Sequence, residues 1–109
     1  MKDRDLLQAV RDRITEREDW CQKSYFRDRM GRPIWDEAEF SNAVSWTLGG
    51  AAQAVLGYKS GATLRLAKLL GFPSPYPVNR MNDWNDTQTH VNVLKRLDEA
   101  SANRQRSWR

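Results

Sequence analysis

Leu6, Leu7, Val10 and Ile14 recur at spacings of three and four among charged residues, which predicts an amphipathic helix over roughly 3–19 with Asp3 as its N-cap. Arg11, Asp12, Arg13, Glu16 and Arg17 form its polar face, with Arg13 and Glu16 paired at i,i+3. The periodicity lapses from Trp20 to Pro33. There Asp28-Arg29-Met30-Gly31 reads as a turn, across which Tyr25-Phe26 and Ile34-Trp35 form at most one short hairpin. Phe40, Val44, Leu48, Ala51 and Val55 return to helical spacing, with Asp36, Glu37 and Glu39 at the favourable end of the helix dipole and Gly57 as the stop.

Ser60 caps a third expected helix with Leu64, Ala67 and Leu70 on one face, flanked by Leu66 and Leu69 and ended by Gly71. Pro73, Pro75 and Pro77 then predict an extended loop from Phe72 to Met81, lying on the core through Phe72, Tyr76 and Val78. Asn85 or Asp86 caps a last helix bearing Val91, Leu94, Leu97 and Ser101, with Val93 and Ala100 adjacent. The expected fold is mainly α: a compact bundle of about four helices with long aromatic-rich loops. It forms a single domain over 1–103, followed by a basic tail over 104–109.

A length of 109 residues suits one core, and ten per cent aromatic residues argue against disorder. No apolar run approaches a membrane span, and the N-terminus is charged from Lys2 onward, so the expected location is the cytoplasm. The net charge is +4, but it is unevenly spread. Residues 21–32 and 57–71 are basic, whereas 33–56 hold Asp36, Glu37 and Glu39 with no Lys or Arg. Thirteen of the 18 basic residues are Arg, the side chain suited to forked pairing with carboxylate or phosphate.

Candidate chemistry is sparse. Cys21 is the one cysteine and His90 the one histidine, which excludes a disulfide framework and a Cys-based zinc cage. Asp86 and His90 lie four apart and would share a helix face, and with Cys21 alongside they would resemble a nucleophile triad; no flanking motif supports it. Gly49-Gly50 lacks the strand and Lys-Ser/Thr context of a phosphate loop, so no cofactor is expected. Gly49, Gly50 and Ala51 form a small-residue face open to close helix approach. Trp20, Trp46 and Trp84 read as core, while Trp35 and Trp108 have less periodic support. The best basic-aromatic stretch is Lys23, Tyr25, Phe26, Arg27, Arg29 and Arg32. The densest polar cluster is Trp84, Asn85, Asp86 and Thr89.

The order of landmarks resembles a small uncharacterised domain family of bacterial and phage proteins. The resemblance rests on Trp20, Phe26-Arg27-Asp28 with Gly31-Arg32, Trp46-Thr47-Leu48-Gly49-Gly50-Ala51, Leu70-Gly71, and Trp84-Asn85-Asp86 with Thr89, Val91, Leu94 and Ala100. Thr47 departs from the family pattern, which tends to have Cys there. The resemblance implies a shared architecture and a phage or mobile-element origin, and no activity. The expected function is a non-enzymatic interaction module whose partner is a protein, or a second copy docked through the Gly49-Gly50-Ala51 face. The alternative is a weak nucleic-acid binder using Lys23, Arg27, Arg29 and Arg32.

Overall fold

A computed structural model describes residues 1–58 and 60–106. Helix α1 spans Asp3–Arg13 and buries Leu6, Leu7 and Val10, with Ile14 completing the stripe at its C-cap. It stops well short of residue 19 because 15–19 contain no apolar residue to bury, and Glu16 and Asp19 close a reciprocal capping box around a 3-10 turn at Arg17–Asp19. The N-cap is Lys2 rather than Asp3, which lies in the first turn and pairs with Arg65 at 2.8 Å.

Strand β1 (Phe26–Arg27) pairs antiparallel with β2 (Ser45–Trp46), placing Phe26 opposite Trp46. The expected turn is present: Gly31 has φ +78° and donates to Asp28 O at 2.9 Å, and Ile34 N–H reaches Phe26 O. On its other edge β1 meets the returning chain at an isolated bridge between Arg27 and Pro33, bracketed by Asp28 N–H to Arg32 O and Ile34 N–H to Phe26 O. The strand that pairs with β1 in the sheet is Ser45–Trp46, not the expected Ile34-Trp35.

That pairing also shortens the central helix. Asp36 caps a 3-10 helix at Glu37–Asn42, the chain extends through β2, and α2 spans only Leu48–Leu56. Thr47 caps α2, its hydroxyl accepting from Gly50 N–H at 3.1 Å, and Gly57 ends it at φ +104° as expected. Helix α3 is Ala62–Leu69; Gly61 occupies its N-cap in a left-handed conformation, while the Ser60 hydroxyl accepts from Ala62 N–H. Ala62, Leu66, Ala67 and Leu70 are buried and Leu64 is exposed, so the buried face is rotated from the expected one.

The expected 72–81 loop is corrected most. Pro77 occupies the first turn of an additional helix, α4 (Pro77–Thr87), where its missing N–H costs nothing. Phe72 and Val78 do pack on the core, but Tyr76 is exposed. Helix α5 (His90–Arg106) buries Val93 and Leu97, leaving Val91 in solvent. Asn85 and Asp86 belong to the last turns of α4; it is Thr89 that caps α5, accepting from Asn92 N–H at 3.2 Å. α5 continues through the first part of the expected basic tail; 107–109, with Trp108, lie outside the described residues.

The core joins α1, α2, α3, Met81 of α4 and the inner face of α5. Among the described residues the fold is mainly helical with one two-stranded sheet. Among the described residues, no helix is long and apolar enough to cross a membrane.

Candidate functional site

The polar cluster on α4 is a clamp. Asn85 is fully buried, and its side chain makes four hydrogen bonds. Its Oδ1 accepts from Trp20 Nε1 at 2.9 Å and Leu48 N–H at 3.2 Å, while Nδ2 donates to Cys21 O and Asp86 Oδ1. One amide thereby ties the Trp20–Cys21 segment, the start of α2 and α4 together. Asp86 Oδ1 also accepts from Lys23 N–H at 2.7 Å, holding Lys23 in its left-handed conformation at φ +70°. Gln22 Nε2 donates to the carbonyls of Asn85 and Gln88 and so closes the end of α4. Trp84 faces Phe72, and Arg96 lies over both rings, 3.9 Å from the Phe72 centroid and 4.7 Å from that of Trp84. The Arg96 guanidinium donates twice to Leu70 O at the end of α3.

The basic-aromatic stretch divides into separate roles. Arg27 turns inward, donating to the carbonyls of Gln22 and Gly31. Arg32 pairs with Asp28 at 3.0 Å. Asp28 also accepts from the N–H groups of Arg32 and Met30, and these bonds hold its carboxyl below the ordinary range. Lys23 and Arg29 are exposed, and Phe26 is buried.

Tyr25 fills the small-residue face. A Cβ on Gly49 would stand 3.0 Å from the Tyr25 ring, and one on Gly50 would overlap the Tyr25 carbonyl. Gly49, Gly50 and Ala51 are buried within this chain, which corrects the expectation that they receive a second copy.

The triad is not assembled either. Asp86 and His90 fall on different helices, and His90 Nε2 meets Ile14 O at 2.7 Å. Cys21 Sγ donates to Ser24 O, and burial pushes its thiol above the ordinary value, against the nearby Ser45 hydroxyl and Arg27. A nucleophile needs the opposite shift. No group of three or more potential metal ligands occurs among the described residues.

Beside the clamp, a cleft of about 470 Å³ opens between the 23–26 segment, α2 and α4. That volume lies within the range of small-ligand sites. Tyr25, Phe26, Phe40 and Tyr58 form a run of adjacent rings, with centroids 6.3, 4.4 and 5.3 Å apart in turn. Trp35 also lines the cleft and is 76% exposed; Tyr58 is 48% exposed. Asn82 Nδ2 donates to Tyr25 Oη at 2.9 Å and Gln53 Nε2 to Thr63 Oγ1 at 3.3 Å. The oxygens of both amides are buried with no hydrogen-bond partner. An unmet buried polar group costs about 1–3 kcal/mol, so each amide is held here with one end unmatched beside the cleft. The sequence points to Lys23, Tyr25, Phe26 and Asp86 here but not to Phe40, Tyr58, Gln53 or Asn82. The weak periodic support at Trp35 is the single local signal of exposure.

The chain belongs to a family of unknown function (DUF6197), whose model matches residues 1–103. No curated protein and no solved structure matches it.

Proposed function

We propose that this protein is a non-enzymatic protein-interaction module whose contact surface is the aromatic cleft between the 23–26 segment, α2 and α4. The carrying observation is a concave wall of adjacent rings edged by the exposed Trp35 and Tyr58. Large apolar rings exposed around a concavity are the usual makings of a binding anchor. The cytoplasmic location and the bacterial or phage origin belong to the same proposal.

A random peptide display library panned against the wild type and against Trp35→Ala/Tyr58→Ala tests the reading. Sequences enriched on the wild type and lost on the double variant support it. Equal enrichment on both, or none on either, overturns it. The second reading, a weak nucleic-acid binder, draws support from the exposed Lys23, Arg29 and Arg32. Arg27 is removed from that surface by its bonds to Gln22 and Gly31. Anisotropy of a labelled oligonucleotide decides between them: saturable binding at physiological salt, lost in Lys23→Ala/Arg29→Ala/Arg32→Ala, favours nucleic acid.

A further inference from the structure

We propose that the cleft takes an arginine side chain from a basic segment of a partner protein; this rests on the cleft being the interaction surface. Two features of the walls point to that chemistry. Ring faces attract a planar cation, and guanidinium is the side chain that both stacks on rings and donates around its edge. The cleft also carries a carboxylate: Asp86 has hydrogen bonds at Oδ1 but none at Oδ2 among the described residues. A guanidinium offers five donors and no acceptor, so it can meet that oxygen from its edge while its face lies on a ring.

The surrounding charge agrees. Asp36, Glu37 and Glu39 flank the lining residues Trp35 and Phe40, and no ion pair engages them among the described residues. Lys23 is the cation among the described lining residues; it is exposed and is held through its backbone N–H.

The molecule already contains the same combination with its guanidinium in place. Arg96 lies over Phe72 and Trp84 while donating to a carbonyl oxygen. Arg13 over Trp46 and Arg17 over Trp20 repeat the stacking. The cleft offers rings and a carboxylate oxygen in a similar alliance, with no arginine among its described lining residues.

The test is an NMR titration of the full chain, 15N-labelled, with N-acetyl-arginine amide and with its neutral isostere N-acetyl-citrulline amide. The expected result is shifts of the Trp35 indole and of the Gln53 and Asn82 side-chain amides, at about tenfold lower concentration for arginine than for citrulline. Asp86→Asn keeps an oxygen for the Lys23 N–H and is expected to weaken arginine about tenfold and citrulline by less, so that the preference for arginine falls. Lys23→Ala is expected to strengthen arginine, and it tests the charge argument independently should Asp86→Asn not fold. Equal binding of the two probes overturns the cationic ligand while leaving the cleft as an interaction surface. Arginine shifts confined to residues outside the cleft overturn it too, and the peptide display then judges the cleft separately.

Discussion

Asn82 and Asn85 stand three residues apart on α4, and the same side chain meets two different environments. Asn85 is fully buried and bonded at both ends of its amide, to Trp20, Leu48, Cys21 and Asp86. Asn82 is half-buried, bonded at its nitrogen to Tyr25 and unmet at its oxygen. The first has no surface to offer a partner and every reason to fix the backbone around it. The second lies beside a cleft with one end of its amide buried and unmet. A polar residue on one helix thus fixes the backbone when both ends of its amide are met, and carries a desolvation cost when one of them is not.

Removing Asn85 should break this comparison most severely. Asn85→Ala leaves the Trp20 indole N–H, the Leu48 N–H and the Cys21 carbonyl without their partner. A loss of about 3–5 kcal/mol is expected in urea unfolding followed by circular dichroism. A loss below about 1 kcal/mol would show that water or a neighbour replaces the amide, and that the clamp is not built on it.

Next in size is the pair of glycines under Tyr25. Gly50→Ala drives a methyl into the Tyr25 backbone, which β1 and the clamp hold in place, and should cost about 3 kcal/mol. Gly49→Ala meets only the Tyr25 ring, which can turn, and regains helix propensity; its expected cost is at most about 1 kcal/mol. Equal losses would mean that the 23–26 segment yields as easily as a side chain does. The smallest effect is expected at Asn82. Asn82→Ala loses the bond to Tyr25 but also removes an unmet oxygen, so stability should move by no more than about 1 kcal/mol. A loss as large as that of Asn85→Ala would erase the distinction between the two residues.

Much of the helical content could be read from local spacing. Leu6, Leu7, Val10 and Ile14 mark the inner face of α1 because burial of one helix face imposes that period. Glycines 31 and 57 mark a turn and a helix end because the positive φ there excludes most other residues. Pro77 was misleading because proline both forbids a helix interior and favours a helix start, and only the residues that follow it in space decide which. The clamp was partly legible: Trp84-Asn85-Asp86 stands out as a polar cluster, but reads as a helix cap. Asn85 finds its partner in Trp20, 65 positions earlier, and no local pattern encodes that bond.

The sequence by itself determined which stretches must bury a face, where the chain must turn, and that the product is a mainly helical domain. Those are consequences of side-chain period and backbone freedom, which act over a few residues. Tertiary structure alone decided that Gly49 and Gly50 receive Tyr25 rather than another chain, that Asn85 is saturated while Asn82 is not, and that Phe26, Phe40 and Tyr58 line one wall. Each of these depends on groups far apart in the chain coming within contact distance, and packing rather than local propensity sets which groups meet.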